Sequence, residues 1–294
     1  MTAPLFNKVA IVGFGLIGSS IARCVAEYPG LANGVVCVDR SQAVCDRVLE
    51  LGLAEQAGTD PALVSQCDLV ILATPIGAFA DLGAVIGPHL TEGTILTDVG
   101  SVKQSVIRDI APYVPEGVHF IPGHPLAGTE HSGPDSGFAT LFKGRWCILT
   151  PVPGSNQAAV DRLSAFWTGC GSMIEIMEPG HHDRVLAITS HLPHLIAYTI
   201  VGTATDLEEH LQSEVIRFSA TGFRDFTRIA ASDPTMWRDI FLNNREAVLE
   251  VIQRFTEDLT ALQRAIRWGE GDKLHELFTR TRAVRRSIID ARQA

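Results

Sequence analysis

The stretch IPGHPLAGTEHSG, residues 121–133, carries His124, Thr129, Glu130, His131 and Ser132 among two prolines and three glycines. That composition excludes a regular helix or an interior strand, so the segment reads as a loop whose side chains donate, accept and titrate. Among His124, Lys103 and Asp98, the imidazole suits proton abstraction near neutrality. A histidine of reference pKa about 6.5 is largely unprotonated at pH 7, a lysine needs a shift of over three units, and an aspartate is roughly three units too acidic without strong burial.

Two further passages concentrate chemistry. In PGHHDRVLAITSHLPHLIAY, His191 and His194 stand three apart and so share a helical face, while Pro193 deprives the Thr189 carbonyl of its helical donor. In GFRDFTRIAASDPTMWRDIF, Arg224 and Arg228 stand four apart, Asp225 precedes Arg228 by three, and Asp233–Pro234 reads as a cap and first helical residue leading to Trp237. Arg228 lies among Phe226, Ile229 and Ala230, and an arginine drawn toward apolar surroundings needs an anion to compensate its desolvation. Plainer readings stay open: His191 and His194 as interhelical hydrogen-bonders, Arg224 as half of a surface ion pair.

The segment KVAIVGFGLIGSSIARCVAEY shows what such groups would act beside. An apolar run from Val9 to Val12 turns through Gly13, Gly15 and Gly18 and continues with helical spacing, and the strand-like GVVCVDR ends in Asp39, 21 residues beyond Gly18. This is the context of a dinucleotide fingerprint. Gly13 permits the tight turn, Gly15 lets a pyrophosphate approach the backbone, Gly18 lets helix and strand pack, and the helix N-terminus offers free N–H groups. The cofactor contacts expected here are Gly13, Phe14, Gly15, Leu16, Ile17 and Gly18. Asp39 is expected on the adenosine ribose hydroxyls, which favours NAD because a carboxylate repels a 2'-phosphate; Arg40 keeps NADP open, unless it is simply solvated.

The elements that must position these residues follow from pattern. Strand-like runs at 67–75, 93–101, 118–124, 145–151 and 172–179 alternate with helical stretches. That defines an α/β protein with a Rossmann-type doubly wound, mostly parallel sheet, whose ligands bind beyond the carboxyl ends of the strands. Thr74, Pro75, Ser101 and His124 fall at or just after strand ends, so Thr74, Pro75 and Ser101 join the expected cofactor contacts. Ser101 also opens SVKQ, a capping-box pattern, and Lys103 reads as a solvated helix residue. From Pro179 onward apolar spacing is helical, giving an expected division into a dinucleotide domain, 1–178, and an all-α domain, 179–294. Val248, Ile252, Phe255, Leu259, Leu262 and Ile266 step as a heptad seam, and Leu274, Leu277, Thr281, Val284 and Ile288 supply a second helix. The pair buries itself either as a hairpin or against a twin subunit.

Composition bounds the partners. With 24 basic and 33 acidic residues the net charge is -9, which argues against nucleic acid. The opening MTAPLFNKVAIVG lacks the blocks of a signal peptide and no uninterrupted apolar run of about eighteen residues follows, so a cytoplasmic protein with no membrane partner is expected. The six cysteines form no CxxC pair and read as reduced, packed thiols.

Together these residues resemble the prephenate and arogenate (cyclohexadienyl) dehydrogenases of tyrosine biosynthesis. The likeness runs over nearly the whole chain through GFGLIGSS, TDVGSVK, GHPLAGTEHSG, HHDRVLAITSHLPH and GFRDFTRIAASDPTMWRDIF, in that order. It departs at Ser19, where many members carry another glycine. The resemblance implies a helical dimerisation domain, a homodimer, and NAD-dependent oxidative decarboxylation of a small cyclohexadienyl acid. It implies that His124 bonds the ring C4 hydroxyl and drives hydride transfer, supported by Ser101. Arg228 would hold a substrate carboxylate with Asp225 orienting it, His191, His194, Thr129 and Glu130 would line the pocket, and Trp237 would approach across the dimer. An arginine fork suits a carboxylate, and an acidic protein binding a dianion needs such a local cation. Loss of carbon dioxide needs no metal, because the released electrons restore an aromatic ring.

Three rivals remain at this level. Another Rossmann-plus-helical dehydrogenase or reductase acting on a hydroxy acid or imine would share the fingerprint, and a non-catalytic NAD sensor would bind without turnover. A metal-dependent hydrolase would need His181, His182, Asp183, His191 and His194, whose spacing forms no closed ligand set. The expected metal content is none.

Overall fold

The computed structural model describes residues 3–129, 131–206, 214, 217–218 and 220–290. Residues through Arg245 form one compact unit and those from Glu246 a second. The first unit is built on strands β1 (Phe6–Val12), β2 (Ala32–Val38), β3 (Gln56–Gly58), β4 (Leu69–Leu72), β5 (Ile95–Asp98) and β6 (His119–Phe120). They form one parallel sheet in the order β3-β2-β1-β4-β5-β6. Such strands are covered on both faces, which is why they read as continuous apolar runs.

The period-two alternation sorts those runs onto two cores. Val9, Ile11, Val35, Cys37, Leu69 and Ile71 point to one face, where they meet α1 (Leu16–Glu27) and α5 (Gln157–Gly169) through Ile21, Val25, Leu163, Phe166 and Trp167. Ala10, Val12, Val36, Val38, Val70 and Leu72 point to the other, against α3 (Phe79–Ile86) and α4 (Lys103–Ile110) through Phe79, Ile86, Val106 and Ile110. The helix α2 (Gln42–Glu50) starts at Ser41, whose side chain accepts from the Val44 amide. Strand order reverses between β1 and β4, so a crevice opens beyond their carboxyl ends.

A second sheet departs from the sequence reading. Strands β7 (Gly123–Pro125), β8 (Trp146–Leu149) and β9 (Met173–Ile176) pair in the order β7-β8-β9, β7 antiparallel to β8 and β8 parallel to β9. The stretch 121–133 is therefore not all loop: His124 sits mid-strand, paired with Ile148. A strand is tolerated there because β7 is short and lies at the sheet edge, with Pro125 as its last residue, where a missing N–H breaks no interior ladder.

Helices complete the unit: α6 (Pro179–Leu186), a π-helical segment (Ala187–His191), α7 (Leu192–Thr205), α8 (Thr221–Thr227) and α9 (Pro234–Asn243). The π segment ends two residues before Pro193, where a wider turn accommodates a ring that cannot donate to the preceding turn. As expected, Asp233 caps α9, its carboxylate accepting from the Met236 amide with Pro234 in the first turn. Pro179–Thr205 is long and apolar enough to cross a membrane by length and composition alone, with a mean hydropathy of 1.4 over its most apolar stretch. Its buried His182, Asp183 and His191 are held instead by polar partners within the unit.

The second unit consists of α10 (Arg245–Arg267), beyond its first residue, and α11 (Gly271–Asp290). Both expected helices form. Along the heptad seam Leu259 is 52% exposed, Ile266 68% and Val284 57%.

Candidate active site

The turn after β1 meets the end of β4 at the switch point. Gly13 has φ +95°, and a Cβ there would lie 2.8 Å from the Ala73 carbonyl oxygen, so both conformation and contact demand glycine. A Cβ at Gly18 would strike the Gly13 carbonyl oxygen, whereas one at Gly15 would meet nothing within 4 Å. The helix α1 begins at Gly15 without a side-chain cap, leaving its first amides to a ligand. Thr74 Oγ1 is buried without a partner among the described residues. Asp39 receives the Phe14 and Ser41 amides at 3.0 Å, one on each oxygen, and retains lone pairs for a ribose. These features fit a dinucleotide. The Phe14 and Leu16 side chains are core residues, so only their backbone faces the site; Ile17 is half-buried, and Arg40 and Pro75 are exposed. Ser19, the departure from the family pattern, is buried and donates to the Leu16 carbonyl at 3.2 Å.

At the end of β5 one buried carboxylate gathers the turn. Asp98 accepts the Gly100 amide at 2.7 Å and the Gly123 amide at 3.1 Å, so Ser101 and His124 each follow a residue tied to the same group. Lys103 donates to Asp98 and, at 2.6 Å, to the Gly123 carbonyl. The expectation that Lys103 is solvated is thus wrong: its side chain is fully buried. The capping-box reading of Ser101 also fails, because α4 is capped from a distance. The Asp183 carboxylate accepts the Lys103 amide at 2.7 Å and the Gln104 amide at 2.9 Å.

His124 is 8% exposed. Its Nδ1 lies 2.9 Å from His182 Nε2, and His182 Nδ1 lies 2.8 Å from Asp183 Oδ1. Burial, then the neighbouring His182 and Lys103, hold the His124 ring well below its ordinary 6.5, so it is neutral.

From the helical segment, Asn244 donates to the Asp183 carbonyl at 2.9 Å and lies 3.0 Å from His191 Nδ1. One amide nitrogen serving both leaves His191 Nδ1 as acceptor and its Nε2 as an N–H, which is buried with no partner among the described residues. Burial lowers His191 to about 4. His194 shares its face as expected and stacks on Trp237 with ring centroids 3.6 Å apart; its Nδ1 donates to the Ser190 carbonyl at 2.9 Å. The tryptophan packs within its own chain, buried with Ile76, Val102 and Ile240. Burial lowers His194, its hydrogen bond to Ser190 opposes that, and the Arg228 charge adds a smaller push downward.

Arg228 is exposed rather than drawn into apolar surroundings, because the short helices around it leave Phe226 at the surface as well. No hydrogen bond or ion pair joins Asp225 to Arg228 among the described residues, and Asp225, Arg224 and Thr129 are exposed. The Thr129 hydroxyl accepts the His131 amide at 3.3 Å. Glu130 lies outside the described residues, as does the Ile288 side chain. Among the described residues no group of three His, Cys, Asp or Glu side chains is arranged to hold a metal ion.

The residues missed from sequence as parts of the site are Asp98, Lys103, His182, Asp183 and Asn244. A signal existed for the first two: an aspartate ending a buried parallel strand needs a cation, and the nearest in sequence is Lys103.

A switch-point cradle, a buried neutral imidazole and an apolar aromatic wall define a dinucleotide-dependent oxidoreductase site. Comparison with known proteins agrees. The family model described as "Prephenate dehydrogenase, nucleotide-binding domain" matches residues 22–176, and "Prephenate dehydrogenase, dimerization domain" matches 178–280. The chain belongs to the prephenate dehydrogenase family. It is 41% identical to the cyclohexadienyl dehydrogenase of Zymomonas mobilis over 97% of both chains. Among solved structures, prephenate dehydrogenase from A. aeolicus in complex with hydroxyphenyl propionate and NAD+ superposes with a TM-score of 0.89 at 32% identity, covering 96% of this chain and 98% of that one. Synechocystis arogenate dehydrogenase does so with 0.82 at 28%, covering 95% and 99%.

Proposed function

We propose that this chain is an NAD-dependent cyclohexadienyl dehydrogenase, which oxidises and decarboxylates prephenate, arogenate or both. The observation that carries the reading is the neutral, buried His124, held one residue beyond the amide that Asp98 fixes at the end of β5. NAD+ bound on the α1 cradle supplies the hydride acceptor, with Gly13 to Gly18, Asp39, Thr74, Pro75 and Ser101 holding it. Two relatives are named for prephenate and arogenate dehydrogenation, which leaves both acids as candidate substrates.

His124 takes the proton of the ring hydroxyl as hydride leaves the same carbon. The ring carboxylate then departs as carbon dioxide, its bonding pair completing the aromatic ring, and His124 returns the proton to the phenolic oxygen. Ser101 hydrogen-bonds the reacting hydroxyl or His124. The buried Nε2–H of His191 donates to the substrate, Trp237 and His194 form a wall, and Thr129 lines the pocket. Arg228, exposed and free of a protein anion among the described residues, receives a carboxylate, with Asp225 orienting it.

Residues 1–178 hold the dinucleotide, and 179–294 supply substrate contacts and the dimer. The exposed apolar seam of α10 and α11 and the description of the matched C-terminal family model support a homodimer through these helices. Six free, buried cysteines agree with a cytoplasmic location.

The experiment is to offer the purified protein prephenate and arogenate with NAD+ and with NADP+, following reduced cofactor and carbon dioxide together. Equal release of both products from either acid is expected. Reduced cofactor from a simple hydroxy acid alone would favour the other dehydrogenase class, and cofactor binding without turnover a sensor.

A further inference from the structure

We infer that His182 and Asp183 are positioning residues that fix the proton of His124 on Nδ1 and so keep its Nε2 lone pair bare toward the substrate. The inference rests on the reading of His124 as the base, and its geometry is a chain of three side chains. The Asp183 carboxylate, buried on α6, has only acceptor atoms. Its Oδ1 lies 2.8 Å from His182 Nδ1, so that nitrogen must carry the hydrogen. In a neutral ring the opposite nitrogen is then an acceptor, and His182 Nε2 lies 2.9 Å from His124 Nδ1. The hydrogen between the two rings therefore belongs to His124 Nδ1, and Nε2 has none.

The direction of the chain cannot reverse. If His124 held its hydrogen on Nε2, two bare imidazole nitrogens would face each other at 2.9 Å in a buried site. Asp183 is itself held: its oxygens receive the Lys103 and Gln104 amides, and Asn244 donates to its backbone carbonyl. The same carboxylate that caps α4 thus sets the polarity of the base, linking a structural cap to the chemical step. A residue acting this way does not touch substrate, and changing it alters the ring tautomer rather than binding.

Three variants of the full-length chain test this. Asp183→Asn leaves one acceptor oxygen where the carboxylate had two, so the Lys103 amide, the Gln104 amide and His182 Nδ1–H compete for it and the His182 tautomer is no longer fixed; kcat is expected to fall, by up to about 10⁴-fold where the tautomer reverses fully, with KM and NAD+ affinity little changed. His182→Gln preserves the polarity, since its carbonyl accepts from His124 and its amide donates to Asp183, and is expected to stay within about tenfold of the parent. His182→Leu, which cannot accept, is expected to lose about 10²-fold or more. Nitrogen NMR of labelled histidines reads the tautomer without turnover: Nδ1–H alone on His124 in the parent and in His182→Gln, with Nε2–H gained in Asp183→Asn.

Should Asp183→Asn fail to fold, the glutamine and leucine variants still decide. The inference is overturned if His124 carries Nε2–H in the parent, or if His182→Leu matches His182→Gln in kcat. If the parent shows the expected tautomer yet oxidises no cyclohexadienyl acid, the functional reading falls and the positioning chain stands.

Discussion

Lys103 and Asp98 form an ion pair with no side-chain surface exposed to water. Burial pushes the lysine down and the aspartate up, and their mutual attraction opposes both shifts. Removing one partner strands a charge, so Lys103→Met is expected to cost about 3 to 5 kcal/mol, read by urea unfolding. Adding Asp98→Leu should recover only part, because the Gly100 and Gly123 amides then lose their acceptor. Full recovery in the double variant would show that these amides find other partners.

Acid should weaken the fold through its histidines. His124, His182 and His191 are each held below the ordinary 6.5 chiefly by burial, His191 at about 4. Below about 6.5 the unfolded chain binds protons that the folded chain refuses. Stability is therefore fully present above about 6.5 and falls as pH drops toward 4, by up to about 1.4 kcal/mol per pH unit for each ring. Unfolding free energies measured across this window check the sign. For the same reason the acid limb of kcat should lie below 6.5, and a limb above that value would mean that His124 is not the titrating base.

Replacing Arg228 separates binding from chemistry. Arg228→Ala removes a charge-assisted contact of about 1.5 to 3 kcal/mol, which predicts a KM raised about 10- to 100-fold with a smaller effect on kcat. An unmoved KM for the acid would assign its carboxylate to another cation.

Cofactor choice should follow Asp39. Asp39→Asn keeps an acceptor for the Phe14 amide and removes the charge that repels a 2'-phosphate, so the ratio of kcat/KM for NAD+ over NADP+ should fall. An unchanged ratio would place the discrimination elsewhere, with Arg40 the next residue to vary.

Much of the architecture was legible because local chemistry and global fold agree. The apolar runs of β1, β2 and β4 admit only a doubly covered sheet, and Gly13 and Gly18 have the turn and the close packing that the fingerprint gives them, while a Cβ at Gly15 would meet only open space. What stayed hidden depends on contacts distant in sequence. Asp183 caps α4 from about 80 positions away, which no capping pattern around Ser101 can show. Lys103 looks like any helix lysine until Asp98 and the Gly123 carbonyl are placed around it. The strand at Gly123–Pro125 was obscured by its prolines, which forbid an interior strand and permit an edge.

The most direct test is the kcat of His124→Asn with prephenate or arogenate, measured beside its Kd for NAD+. A fall of about 10²- to 10⁴-fold in kcat at an unchanged Kd is the predicted result. A variant that turns over as fast as the parent would contradict the assignment of this imidazole as the proton acceptor.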